Sequence, residues 1–147
     1  MILVSACLLG INCKYNGKNN LNSNILKLDG NLVPVCPEQL GGLSTPRPPC
    51  EIIEGDGHDV LQGNAKVVTE NGVDVSSYFI AGAKMTAKIA EITKAETAIL
   101  KANSPSCGLN SIYDGTFSCK QCPGDGVTAA LLKQMGIKVF TEIDFPE

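Results

Sequence analysis

Twice in this chain a helical pattern runs directly into a short apolar run, and that succession narrows the fold more than any other feature. From Tyr78, apolar or small residues recur at Gly82, Met85, Ile89 and Ile92, the spacing of one helix face. Asp74 or Ser76 is the expected N-cap. The run Thr97–Leu100 follows as a strand. A second helix is expected from about Gly126 to Met135, with Val127, Leu131 and Met135 on one face, Asp125 as N-cap and Gly136 as stop. Ile137–Phe140 then reads as its strand. Helices alternating with strands predict an α/β fold with a mostly parallel sheet and helices packed on it.

Ile2–Ala6 supplies a buried first strand, and Leu32–Val35 a second, closed by Cys36-Pro37. Asn12–Asn24 is polar and rich in Asn and Gly, so a loop is expected there. Thr45–Cys50 carries prolines at 46, 48 and 49 and must be extended. Val60–Leu61 and Ala65–Val68 flank Gln62-Gly63-Asn64, which predicts a small hairpin inserted in the fold. With 147 residues and no linker or repeat, a single domain over 1–147 is expected.

The cysteines carry the chemistry. There are seven, in a chain long enough to fold without staples and with no charged n-region ahead of its first apolar run. No stretch approaches the about 18 apolar residues of a membrane span. A cytoplasmic protein is expected, and in a reducing compartment abundant cysteine points to metal binding or thiol chemistry. The net charge of −3 and the scattered Lys and Arg give no footprint for polymeric nucleic acid.

In open parallel sheets ligands bind beyond the carboxyl ends of the strands. Cys7 follows the first strand, Cys36 ends the second, and Cys107 lies in Ser104-Pro105-Ser106-Cys107-Gly108 after Thr97–Leu100. The topology would bring all three to one edge. Thiolates are soft ligands for zinc, copper(I) or iron–sulfur clusters. Structural zinc is normally closed by four ligands, whereas three leave a position open for substrate. Buried, inert cysteines would give the same pattern.

Other candidates are less specific. Cys119 and Cys122 form a Cys-x-x-Cys pair before Pro123-Gly124, on a loop, compatible with thiol–disulfide chemistry or half a zinc site. Cys13 and Cys50 lie in loops that could flank the site. His58, the only histidine, is expected on a solvated loop, which disfavours a Cys–His nucleophile pair. Glu38 is the nearby acid: a catalytic carboxylate, or the first-turn acid of a short helix. Gly124-Asp125-Gly126 opens a helix whose N-terminus could hold an anion, although a turn and cap explain it as well.

Several segments match in order: Ser5-Ala6-Cys7-Leu8-Leu9-Gly10, Tyr15-Asn16-Gly17, Val35-Cys36-Pro37-Glu38, Gly41-Gly42-Leu43, Pro46-Arg47-Pro48 and Glu51-Ile52. Gly72-Val73-Asp74-Val75, Ser104-Pro105-Ser106-Cys107-Gly108, Tyr113-Asp114-Gly115-Thr116-Phe117 and Gly126-Val127-Thr128-Ala129-Ala130-Leu131-Leu132 continue the series. Over essentially its whole length the chain resembles the bacterial and archaeal family known as domain of unknown function 523, which includes the thiouracil desulfidases. The resemblance implies a Rossmann-like domain holding a four-iron, four-sulfur cluster on Cys7, Cys36 and Cys107, vulnerable to oxygen and expected to be lost from aerobically prepared protein. It implies conversion of thiouracil to uracil and sulfide, the substrate's sulfur binding the iron without a protein ligand. Glu38 would be the general base, Ser104 and Ser106 would orient the ring or the adduct, and Lys101 would neutralise developing charge. A thiolated pyrimidine or related base is the expected partner. The readings from other classes are a non-catalytic metal or sulfur carrier and an oxidoreductase using Cys119 and Cys122.

Overall fold

A computed structural model describes residues 1–146. In chain order the elements are β1 (Ile2–Ser5), a 3-10 turn (Ala6–Leu9), α1 (Ser23–Leu26), β2 (Leu32–Val35), α2 (Pro37–Leu40), β3 (Cys50–Ile53) and α3 (Gly57–Leu61). They continue with β4 (Lys66–Thr69), α4 (Ser76–Thr93), β5 (Thr97–Leu100), β6 (Ser111–Tyr113), β7 (Gln121–Pro123), α5 (Val127–Gln134) and β8 (Lys138–Thr141).

The main sheet has the order β2-β1-β5-β8 and every pairing in it is parallel. Ser5 pairs with Val35 and Val4 with Ile99, so β1, β2 and β5 end side by side. Strand side chains alternate between faces. Leu3, Ala98 and Leu100 therefore meet Ala90 of α4 and Ala129 and Leu132 of α5 on one face. Val4 and Ile99 meet Ala6, Leu8 and Ile25 on the other. A third cluster, including Ile52, Val67, Phe79, Ile112 and Val127, joins an antiparallel β3–β4 pair to α3, α4 and α5.

Several expectations are corrected. Val60–Leu61 is not a strand but the end of α3, whose N-terminus is fixed by a capping box between Asp56 and Asp59. The partner of β4 is β3, the segment that follows the proline run. The loop expected over Asn12–Asn24 contains the start of α1, capped by Asn22. Cys122 sits in β7, paired with β6, rather than on a loop.

The helix faces are also rotated from the expected ones. In α4 the buried residues are Phe79, Gly82, Ala83, Thr86, Ala87 and Ala90, while Tyr78, Met85 and Ile92 are exposed. Close approach explains this. A Cβ on Gly82 would collide with the Pro37 carbonyl, and one on Gly41 with the Tyr78 carbonyl. The face of α4 at this approach therefore admits small residues, while Phe79 is buried one turn before Gly82 and Tyr78, Met85 and Ile92 are turned outward. In α5 Leu132 rather than Leu131 is fully buried, and Met135 is exposed. The N-cap positions are Val75 for α4 and Gly126 for α5, neither with a side-chain cap. Asp74 instead accepts from the Ser76 amide, and the Asp125 carboxylate is used elsewhere.

Candidate metal centre and active site

The aligned ends of β1, β2 and β5 open into a cavity of about 490 Å³, lined by Cys7, Cys36 and Cys107 together with Glu38, Lys101, Ser104 and Ser106. Every residue singled out from the sequence for the site therefore reaches one space. Cys7 is carried by the 3-10 turn that ends β1, whose Gly10 takes a left-handed conformation and returns its amide to the Ala6 and Cys7 carbonyls. Cys36 is the N-cap of α2, so Glu38 falls in its first turn. Glu38 is the first-turn acid of this short helix, and it also lines the cavity.

The Ser104–Gly108 turn is fixed from two sides. Ser104 Oγ accepts the Cys107 amide at 2.7 Å, and the Ser104 carbonyl accepts the Gly108 amide at 2.9 Å. The amides of Val127 and Thr128 donate to the Pro105 and Ser106 carbonyls, each at 2.8 Å. A Cβ on Gly126 would lie 2.6 Å from the Ser106 carbonyl carbon, so glycine is required for the turn to seat on α5. The amides at the start of α5 are consumed in holding this turn, so of the two readings of Gly124-Asp125-Gly126 the turn is the one met.

Glu38 is held at both oxygens. Arg47 Nε donates to Oε1 at 2.9 Å and Ser106 Oγ donates to Oε2 at 2.9 Å. The Arg47 side chain is only 5% exposed. It also donates to Thr45 Oγ1 and, through Nη2, to the Cys13 carbonyl at 2.9 Å. Arg47 thus ties the Cys13 loop, the proline run and α2 together. Sequence reasoning gave it no role; its signal was a lone arginine between two prolines, which fixes a backbone but names no partner. Lys101 also lines the cavity, but its ammonium is bound to Glu142 Oε2 at 2.8 Å.

Cys13 belongs to the site as well. It is 2% exposed, and its carbonyl lies 3.8 Å from Cys36 Sγ. Interaction with the Cys13 thiol is the main cause holding the Cys7 and Cys36 thiols below the usual range against their burial, with Asn20 assisting at Cys7 and the Gln39 amide and Arg47 at Cys36. Cys13 itself is pushed up and keeps its proton. Burial pushes the Cys107 thiol up to about 12, although Ser5 Oγ donates to its sulfur at 3.3 Å and Ser106 Oγ lies 3.6 Å from it. Cys50 and Cys119 line the same cavity, whereas Cys122 packs against the third core cluster.

Among the described residues, only Asp56, His58 and Asp125 bring three metal-type ligand atoms within 4.8 Å of one another. No three cysteine sulfurs among the described residues come that close to one another. Soft donors converging on one cavity fit a thiophilic centre larger than a single ion.

The fold and site define a class: an α/β domain with a thiol-lined cavity at the carboxyl ends of a parallel sheet. A family model described as 2-thiouracil desulfurase matches residues 2–144, and the chain belongs to that family. Uncharacterized protein YbbK of Bacillus subtilis (strain 168) is 54% identical over 144 residues, covering 97% of this chain and 95% of that one. A solved structure described as the [4Fe-4S]-dependent thiouracil desulfidase TudS matches with a TM-score of 0.86 and 40% identity, covering 99% of this chain and 92% of the other. No helix among the described residues is long and apolar enough to cross a membrane.

Proposed function

We propose that this chain is a cytoplasmic desulfidase that removes sulfur from a thiolated pyrimidine by hydrolysis, turning thiouracil into uracil and releasing sulfide. Cys7, Cys36 and Cys107 would hold a four-iron, four-sulfur cluster of the kind in the description of the 40% identical solved relative. When bound, such a cluster supplies an iron without a protein ligand, a Lewis acid for a soft thiocarbonyl sulfur. The observation that carries the reading is the Glu38 carboxylate, clamped between Arg47 and Ser106 in the cavity that the three thiols line.

The chain's own residues account for the proton traffic. Glu38 takes a proton from the water that adds to the ring carbon, and its two hydrogen bonds hold it in place for that task. Water's oxygen replaces sulfur on the ring, and its two protons leave with the sulfur, so no electrons are exchanged. The Ser106 hydroxyl, 3.4 Å from Ser104 Oγ, sits between Glu38 and the Cys107 sulfur and orients the adduct. Lys101 offsets developing negative charge, moderated by its pair with Glu142.

The test is anaerobic reconstitution with iron and sulfide, followed by assay of sulfide release from 4-thiouracil. Cluster-dependent release that is lost in Cys36→Ser supports the reading. A stable cluster without release overturns the reaction, and failure to assemble a cluster overturns the centre.

A further inference from the structure

Glu51 is a buried carboxylate that the reaction above leaves unused. It stands on β3, is 9% exposed and forms no ion pair among the described residues. Its Oε1 accepts two backbone amides of the β6–β7 loop, Gly115 at 2.9 Å and Phe117 at 3.1 Å. Its Oε2 has no hydrogen-bond partner among the described residues. Thr128 Oγ1 is the only fully sealed side-chain oxygen or nitrogen without a partner there. The second oxygen of Glu51 is therefore not sealed in, and Glu51 is one of the residues that line the thiol-lined cavity.

The loop it clasps is held against its own preferences. Phe117 and Cys119 take positive φ values of 56° and 62°, uncommon for residues with side chains. A Cβ on Gly115 would lie 2.7 Å from the Ile52 carbonyl, so the loop is pressed onto β3. Phe117 and Tyr113, at the two sides of that turn, both line the cavity.

A carboxylate accepts hydrogen bonds and donates none. An acceptor with a vacant oxygen beside aromatic walls suits a flat ring with an N–H in its plane. We infer that Glu51 reads the substrate ring, its Oε2 accepting the ring N–H next to the thiocarbonyl while Phe117 lies against the ring face. This rests on the desulfidase reading and narrows its substrates to cyclic thioamides that keep that N–H.

The experiment compares wild type and Glu51→Gln on 4-thiouracil and on its analogue methylated at the nitrogen beside the thiocarbonyl. Glutamine keeps one oxygen for the Gly115 and Phe117 amides but presents a donor to the cavity. The KM of Glu51→Gln for 4-thiouracil should rise about 10- to 100-fold, as for a lost charge-assisted hydrogen bond, with kcat little changed. Wild type should discriminate against the methylated analogue, and the variant should not. Equal discrimination by both proteins overturns the inference, as does a wild type that accepts both compounds alike. Should Glu51→Gln fail to fold, the wild-type comparison still decides, and Phe117→Leu should raise KM several-fold.

Calorimetry of uracil binding to the cluster-free protein separates the two claims. Glu51-dependent uracil binding without sulfide release would remove the desulfidase reading and leave ring recognition standing. Sulfide release with a Glu51→Gln enzyme identical to wild type would do the reverse.

Discussion

Asp56, His58 and Asp125 bring three metal-type ligand atoms together, with Lys133 beside them, yet every carboxylate oxygen among them is already used by the chain. Asp125 Oδ1 accepts the Asn110 amide at 2.8 Å, and Oδ2 meets His58 Nε2 at 2.8 Å and Lys133 Nζ at 2.9 Å. Asp56 Oδ1 accepts the His58 and Asp59 amides, and its Oδ2 accepts the Asp125 amide. The spacing resembles a metal site, but the valences are spent on joining α3 to the β7–α5 turn. In the cavity, by contrast, thiols and one oxygen of Glu51 remain available. Clustered carboxylates read as a metal site only where the chain leaves their oxygens unspent.

The sharpest way to break that comparison is to remove a cavity thiol. Cys7→Ser, Cys36→Ser and Cys107→Ser should each abolish cluster assembly, read by visible absorbance, and sulfide release with it. Asp125→Asn should leave both intact. Next in size, Glu38→Gln should lower kcat by about 10²- to 10⁴-fold, the usual share of a general base, while the cluster spectrum persists.

Arg47→Met leaves Glu38 without its buried cation. A loss of about 3 kcal/mol in denaturant unfolding of the cluster-free protein is expected, as for other broken buried pairs. Little change would show that solvent replaces Arg47.

The clasp should respond in stability alone. Asp125→Asn should cost about 1–3 kcal/mol through weakened buried hydrogen bonds. Burial raises the Asp125 carboxyl, but the Asn110 amide, Lys133 and His58 outweigh it and hold the group below its usual value. A carboxyl depressed by folding stabilises above its unfolded value of about 4 and loses that contribution as pH falls through the folded value. The gap between wild type and Asp125→Asn should therefore close on acidification below about pH 4. The smallest effect is expected at the exposed Lys88–Glu91 pair, 3.7 Å apart, where Lys88→Ala should stay within about 0.5 kcal/mol.

Periodicity found α4 and α5 because a helix repeats its burial every turn, and it found β1, β2, β5 and β8 as short apolar runs. It placed Gly82 and Val127 correctly on buried faces but misplaced Tyr78, Met85, Ile92 and Met135, since which stripe is buried depends on how closely a neighbour approaches. In α4 that approach selects glycine and alanine over Tyr78, Met85 and Ile92. It also read Val60–Leu61 as a strand, because two apolar residues beside a turn look alike in either element and the capping box at Asp56–Asp59 decided the matter. Within the site, Cys7, Cys36 and Cys107 were legible because strand ends in a parallel sheet share one edge. Cys13 was not, since its place depends on a loop folding back and on a carbonyl held by Arg47 across 34 residues of sequence.

The amino-acid sequence by itself determined the alternation of helices and strands, the parallel sheet and the edge to which Cys7, Cys36 and Cys107 come, because those follow from local periodicity and from a topology with few alternatives. Only the tertiary structure decided that Arg47 and Ser106 clamp Glu38, that Lys101 is paired and that Glu51 keeps an oxygen free. Those outcomes depend on which donors and acceptors arrive within hydrogen-bond distance from remote parts of the chain, and no local pattern encodes that arrival.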